Sequence, residues 1–169
     1  MKKEIINRVA NSKLATIDLE DFYPEGQRLS LDISQWLFEG IVLREKDFRI
    51  AINAHDWSLY KDGFVYIHCS TDAIIPGWAF MLVSLRLNEV SRKAVVGSQN
   101  DLETLIFSEI ISEMDLSEYI DRPVIIKGCS HKPIPENAYV LLAQKLQSIA
   151  KSILYGEACS SVPLFKKSK

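Results

Sequence analysis

The sequence predicts an α/β, or α+β, chain: a mixed sheet with a parallel βαβαβα core and antiparallel strands added by the N-terminal part. Three observations predict it. From residue 64 onward, short β-branched runs alternate with helix-length apolar periodicity, a succession that implies parallel strands joined by right-handed crossovers. No Gly-, Ser- or Pro-rich linker interrupts the chain. Its 169 residues, 47% hydrophobic and 25% charged, match one ordinary globular domain, read as 1–169 with a short basic C-terminal tail over 160–169.

The N-terminal elements are less regular. Ala15-Thr16-Ile17-Asp18-Leu19 has the composition of a strand, and Leu29, Leu31 and Ile33 alternate with Ser30 and Asp32 as a half-buried one does. Trp36 to Leu43 fits helix or strand. Glu45 to Ala54 reads as an amphipathic helix with Phe48, Ala51 and Ile52 inward.

The rest is clearer. Phe64 to His68 follows a Lys61-Asp62-Gly63 turn and reads as a strand. A strongly apolar helix runs from about Pro76 to Glu89. Ala94-Val95-Val96 is the next strand. Ser98-Gln99-Asn100-Asp101 resembles a capping box opening a helix with Leu102, Leu105, Ile106 and Ile110 on one face. Asp115 to Glu118 starts a short helical turn, Arg122-Pro123 breaks it, and Val124 to Ile126 forms a third strand. The last helix opens at Pro135, shows Ala138, Leu142, Leu146, Ile149 and Ile153 at helical spacing, and meets a stop at Gly156.

Composition removes several functions. A net charge of -2 leaves no electrostatic footprint for nucleic acid and no polybasic membrane anchor. The N-terminus is interrupted by Glu4, Asn7, Arg8 and Asn11, unlike a signal peptide. The most apolar window, Ala73 to Val83, contains Pro76 and Gly77 and is too short to cross a bilayer. The expected location is the cytoplasm, where three cysteines at wide spacing stay reduced. There is no dinucleotide fingerprint, phosphate-binding loop or G-x-S-x-G elbow. A cysteine phosphatase needs an arginine six residues after its thiol, where this chain has Ile75 and Pro135. His55-Asp56 after a helix reads as a dipole partner and a cap, and Trp36, Trp57 and Trp78 as core or rim.

What carries chemistry is an internal echo. Val65-Tyr-Ile-His-Cys69-Ser70 leads to Ile75-Pro76-Gly-Trp-Ala79-Phe80, and Val124-Ile-Ile-Lys-Gly-Cys129-Ser130 leads to Ile134-Pro135-Glu-Asn-Ala138-Tyr139. Both cysteines fall just past strand carboxyl ends, the ligand-binding edge of open α/β sheets. A strand-ending cysteine is as readily a small core hydrophobe; His131, two residues after Cys129, favours function. Metal thiolates sit roughly 4 Å apart, so strands about 4.8 Å apart that were direct neighbours would suit a site. Its ligands are Cys69, Cys129 and His131, with Asp72, His68 or water as the fourth. A helix from Pro135 to Tyr155, about 30 Å long, carries Cys159 to the opposite edge, which makes it structural and only a weaker ligand candidate, reached if a second subunit supplies it or the helix breaks near Ser148.

The phrases Ile17-Asp-Leu-Glu-Asp-Phe-Tyr-Pro-Glu-Gly26, Trp36-Leu-Phe-Glu-Gly40, His55-Asp-Trp57, Cys69-Ser-Thr-Asp-Ala-Ile-Ile-Pro76, Lys127-Gly-Cys-Ser130 and Tyr155-Gly-Glu-Ala-Cys-Ser160 with Val162-Pro-Leu164 together resemble an uncharacterised bacterial family, domain of unknown function 2480. The resemblance spans nearly the whole chain and implies no activity. Members are often encoded beside iron–sulfur assembly machinery, which implies thiol, sulfur or metal handling.

Three functions therefore stand open. The leading one is an accessory protein of intracellular iron–sulfur or sulfur metabolism, holding zinc or an iron–sulfur cluster at Cys69, Cys129 and His131, with iron–sulfur assembly proteins as partners. The second is a thiol enzyme of sulfur transfer or redox chemistry with Cys129 as nucleophile. The third is a non-catalytic interaction module with buried cysteines, a homo-oligomer using the exposed parts of Trp36 or Phe165.

Overall fold

The computed structural model describes residues 14–128, 130–157 and 159–168. Among them are seven strands, β1 (Ala15–Ile17), β2 (Arg28–Asp32), β3 (Phe64–His68), β4 (Lys93–Val96), β5 (Pro123–Ile126), β6 (Ser152–Glu157) and β7 (Ser160–Lys166). Four α-helices accompany them: α1 (Glu45–Ala54), α2 (Gly77–Asn88), α3 (Gln99–Glu113) and α4 (Glu136–Gln147). The α/β class holds, with parallel strands in both of two sheets. No helix among the described residues is long and apolar enough to cross a membrane.

The chain divides into two compact units, Pro24–Ile106 and Met1–Tyr23 with Phe107–Lys169. The first holds a three-stranded sheet ordered β2-β3-β4, all parallel. Its core is Leu31, Ile33, Phe48, Ile52, Val65, Ile67, Ala79, Val83 and Leu87. The second holds a four-stranded sheet ordered β1-β5-β6-β7, with β7 alone antiparallel. Ile17, Phe107, Ile111, Val124, Ile126, Ala138, Leu142, Leu146 and Ile153 fill its core.

The two units repeat one motif. Strand, 3-10 turn, helix, 3-10 turn, strand, helix and strand succeed one another as β2, Ile33–Trp36, α1, Trp57–Tyr60, β3, α2 and β4. They recur as β1, Leu19–Phe22, the second half of α3, Ser117–Tyr119, β5, α4 and β6. From Phe48 and Phe107 to Gly97 and Gly156, each residue stands 59 positions before its counterpart, without a gap. In chain order, the whole of one motif is inserted between the first turn and first helix of the other.

The local physics repeats with the sequence. Asp56 and Asp115 cap the second turn by accepting the N–H of Ser58 (3.0 Å) and Ser117 (2.9 Å). Asp62 and Asp121 take left-handed φ angles of 56° and 54°, and their N–H groups donate to Val90 O and Ile149 O, both at 2.9 Å. Pro76 and Pro135 hold extended cap positions, leaving Ala79 and Ala138 to pack fully inside. The capping box opening α3 is present: Asp101 accepts from the Ser98 N–H at 2.7 Å, and Ser98 Oγ accepts from the Asp101 N–H at 3.3 Å.

Three expectations change. The N-terminal strands are parallel to their neighbours, because β2 reaches β3 through the α1 crossover and β1 reaches β5 across most of the chain, neither through a hairpin. The antiparallel strand is C-terminal: residues 160–166 of the expected basic tail form β7, paired to β6 through a tight hairpin. The last helix stops at Gln147, with Ser148 as its cap, and Ile153 belongs to β6. Ile149 and Ile153 fit a helical stripe, but Ile149 and Ala150 both donate to Leu146 O and close the helix first.

Candidate functional site

Both sheets carry, at their carboxyl edges, an aspartate at the end of the first strand. In the four-stranded sheet this is Asp18, whose Oδ1 accepts the Glu20 N–H at 3.0 Å and whose Oδ2 accepts from Lys127 Nζ at 2.6 Å. Lys127 follows β5, and its backbone N–H donates to Ile17 O at 2.9 Å, which fixes the stem of the side chain beside Asp18. The bond and charge of Asp18 hold the Lys127 ammonium above its usual pKa.

Glu20 reaches the loop after β5. Its Oε1 accepts the backbone N–H of His131 and, at 3.2 Å, that of Lys132. The His131 N–H foremost, with the Ser130 hydroxyl, holds this carboxyl below its ordinary pKa. Ser130 Oγ donates to Lys132 O at 2.7 Å, and the Lys132 ammonium lies 5.2 Å above the Tyr23 ring. At Gly128 a Cβ would stand 2.9 Å from the Tyr155 ring, so glycine lets the loop lie close against that side chain of β6. Tyr139 meets Tyr155 edge-on at 5.7 Å, and burial foremost, then the charge of Tyr155, Asp18 and Glu20, raises its phenol pKa.

The three-stranded sheet offers a hydroxyl-rich version. Asp32 Oδ1 accepts the N–H of Ser34 at 2.9 Å and of Ser70 at 3.1 Å, and the two serine hydroxyls meet at 3.1 Å. Burial works to raise the Asp32 pKa, but these serine hydrogen bonds outweigh it and bring it to about 2. His68 Nε2 bonds Ser30 Oγ at 2.8 Å and its ring stacks on Tyr66. Cys69 is half-buried against its unit's core, its Sγ 3.4 Å from Thr71 Oγ1. Asp72 is exposed.

The premise for joining Cys69 to Cys129 fails. β3 and β5 are not neighbours; each is central in its own sheet. The echo is real but one residue out of register: Cys69 corresponds to Gly128, and Ser70 to Cys129. Cys129 itself lies outside the described residues, with His131 exposed two positions on. Among the described residues no group of three His, Cys, Asp or Glu side chains comes close enough to hold a metal ion.

Cys159 also moves. Because α4 ends at Gln147 and β6 returns parallel to β5, the hairpin carrying Cys159 leaves the same edge as β5. Ile126 is paired with Tyr155 and Glu157 with Ser160, so exposed Cys159 follows directly on the carboxyl end of β6. Sequence reasoning missed Asp18, Glu20 and Lys127; the signal was an apolar-Asp pair closing both first strands, Ile17-Asp18 and Leu31-Asp32.

No curated protein and no solved structure matches the chain. A family model described as "Protein of unknown function (DUF2480)" matches residues 3–167. With the match spanning almost every residue, this chain belongs to that family.

Proposed function

We propose that this chain is an accessory protein of intracellular iron–sulfur or sulfur metabolism, and that its thiol contact site is the carboxyl edge of the four-stranded sheet. The thiolates are Cys129 and Cys159, with His131 as a nitrogen donor from the same loop. The ligand is a soft or borderline metal, zinc or an iron–sulfur cluster, for which thiolate and imidazole are the natural donors. Two or three ligands suit a contact that shares its metal with a partner protein.

The observation that carries this reading is the pairing of β5 with β6 as parallel neighbours. Segments leaving adjacent parallel strands start about 4.8 Å apart. The packing of Gly128 on Tyr155 keeps the first loop against the strand that leads to Cys159. Cys69 has no such neighbour in its own sheet: Ser70 stands where the other unit has Cys129.

Metal and sulfide analysis of the anaerobically purified full chain, before and after incubation with zinc or with ferrous iron and sulfide, tests the reading. Metal bound by the unmodified protein and by Cys69→Ala, and lost in Cys129→Ala/Cys159→Ala, is the expected result. Absence of bound or reconstitutable metal overturns it, as does binding that survives the double substitution.

A further inference from the structure

We infer that the outward face of α2 is a self-association surface, covered in solution by the α2 of a second copy of this chain. Trp78, Met81, Leu82 and Leu85 follow the i, i+3, i+4, i+7 spacing of one helix stripe. The inward stripe, Ala79, Val83 and Leu87, is fully buried in the core of its unit. Yet Met81 is 67% exposed and Leu85 65%, and Ile50 on neighbouring α1 is 59% exposed. A helix apolar on every side is one whose every side is covered.

The internal repeat supplies the control. Helix α4 occupies the same position in the same motif, and its counterparts to Trp78, Met81, Leu82 and Leu85 are Asn137, Val140, Leu141 and Gln144. The fold therefore accepts amides at the two ends of this stripe. Trp78 also packs edge-on against buried Phe48 at 5.9 Å, so it is at Leu85, 65% exposed, that the α2 stripe carries an apolar side chain its own unit does not cover.

A second copy fits this stripe by symmetry, charge and size. Trp78 and Leu85 lie equally far on either side of the Met81–Leu82 midpoint. Two antiparallel copies of the helix thus bring Trp78 of each against Leu85 of the other, the self-complementary geometry of a two-fold interface. No charged residue falls between Gly77 and Leu85. The cations at the border are committed: Arg86 donates to Asn53 Oδ1 at 2.8 Å, and Arg49 bonds Glu45 at 2.9 Å while lying over Trp78. The centre of the apposed stripes is thus free of charge, matching the charge-depleted centre of homodimer contacts.

The outer parts of Ile50, Trp78, Met81, Leu82 and Leu85 present an apolar area on the order of 400 Å² per copy, the size of the largest patch on an ordinary monomer, which is often a functional one. Apposed on itself, that centre contributes about 800 Å², and a polar rim of similar extent carries it into the 1,200–2,000 Å² of a stable pair.

Sedimentation or light-scattering mass of the full chain decides the matter. At tens of micromolar, roughly the range where a modest interface is saturated, the expected mass is that of two chains. Leu85→Gln, which installs the counterpart side chain of α4, and Met81→Lys should each weaken the pair tenfold or more. Both positions point outward, so the circular dichroism spectrum should not change. Val140→Lys on α4 should leave the mass as it was. A chain that stays monomeric up to roughly 200 µM overturns the inference. So does a dimer that both α2 variants leave intact, or one that Val140→Lys breaks equally well.

Discussion

Glu103 is the one fully buried acidic side chain among the described residues, 1% exposed on α3, and Arg28 from β2 answers it. Arg28 Nε and Nη2 donate to the two carboxylate oxygens at 2.8 and 3.2 Å, and Nη1 donates to Pro24 O at 2.7 Å and Gly26 O at 2.8 Å. The guanidinium lies 4.7 Å over the Phe64 ring. Replacing Glu103 by Ala takes the carboxylate away from a desolvated guanidinium, at a cost of about 3–5 kcal/mol. Arg28→Met/Glu103→Leu removes both charges and keeps the volume. It forfeits the two carbonyl bonds, so it should cost about 1–2 kcal/mol, well below the single substitution. All three tryptophans, Trp36, Trp57 and Trp78, belong to the same unit as this pair. Their emission in urea therefore reports the unfolding of the unit that holds Arg28 and Glu103. A Glu103→Ala loss under about 1 kcal/mol, or a double variant no better than the single one, would refute the account of a desolvated, interdependent pair.

Three further outcomes follow from local geometry. Lys145 Nζ donates to the carbonyls of Ile111, Ser112 and Met114 at 2.7, 2.9 and 2.8 Å, closing the end of α3; Lys145→Met should cost about 1–3 kcal/mol in a thermal melt. Gly156 has a φ of +119°, and a Cβ there would stand 2.7 Å from Ser160 O, whereas at Gly77 it meets nothing within 4 Å. Gly156→Ala should therefore cost about 1–3 kcal/mol and Gly77→Ala essentially nothing, read by calorimetry. His55, among the rings of Trp36, Trp57 and Tyr60, has a buried Nε2 with no hydrogen-bond partner. Burial foremost, against the pull of Asp56, lowers its pKa below 6.5, so the folded chain binds fewer protons than the unfolded one. Stability is full above pH 6.5 and falls as pH drops through that value toward the lower folded-state pKa. His55→Phe should flatten this fall in tryptophan-monitored urea melts; an unchanged slope refutes the assignment.

Strands β3, β4 and β5 and helices α1, α2 and α3 are legible from their period, several with a punctuating residue: Gly63 before β3, Pro76 before α2, the Ser98–Asp101 box before α3. Strand direction is not legible at the N-terminus. A run such as Leu29 to Ile33 has the same alternation whether its partner lies ahead by a hairpin or by a crossover. The end of α4 is lost because Ile149 and Ile153, four apart, satisfy a helix, while Ser152 to Tyr155 satisfy a strand, and only tertiary pairing with β5 decides. A helix carried on to Tyr155 would take Cys159 to the opposite edge of the sheet, whereas β6 brings it to the edge where β5 ends. The Cys-Ser echo is visible in the sequence, but matched by residue type it lies one position out of register with the constant offset of 59 that defines the repeat.

The repeat changes what the site residues mean. Positions shared by both copies, such as Asp56 and Asp115, which cap the same turn, or Gly97 and Gly156, which both take a positive φ, are what the motif needs in order to fold. Positions where the copies differ are free of that duty. At the carboxyl edge the differences are Glu20 against Ser34, Lys127 against His68, Gly128 against Cys69, and Cys129 against Ser70. Along the second helix they are Asn137 against Trp78 and Gln144 against Leu85. A stability requirement common to both units accounts for neither set. One copy carries the Asp18–Lys127 ion pair and Glu20 at its sheet edge, where the other has hydroxyls and an imidazole, and that other copy has more apolar surface on its outward helix. Each proposal above therefore rests on a difference for which the other copy provides the reference state.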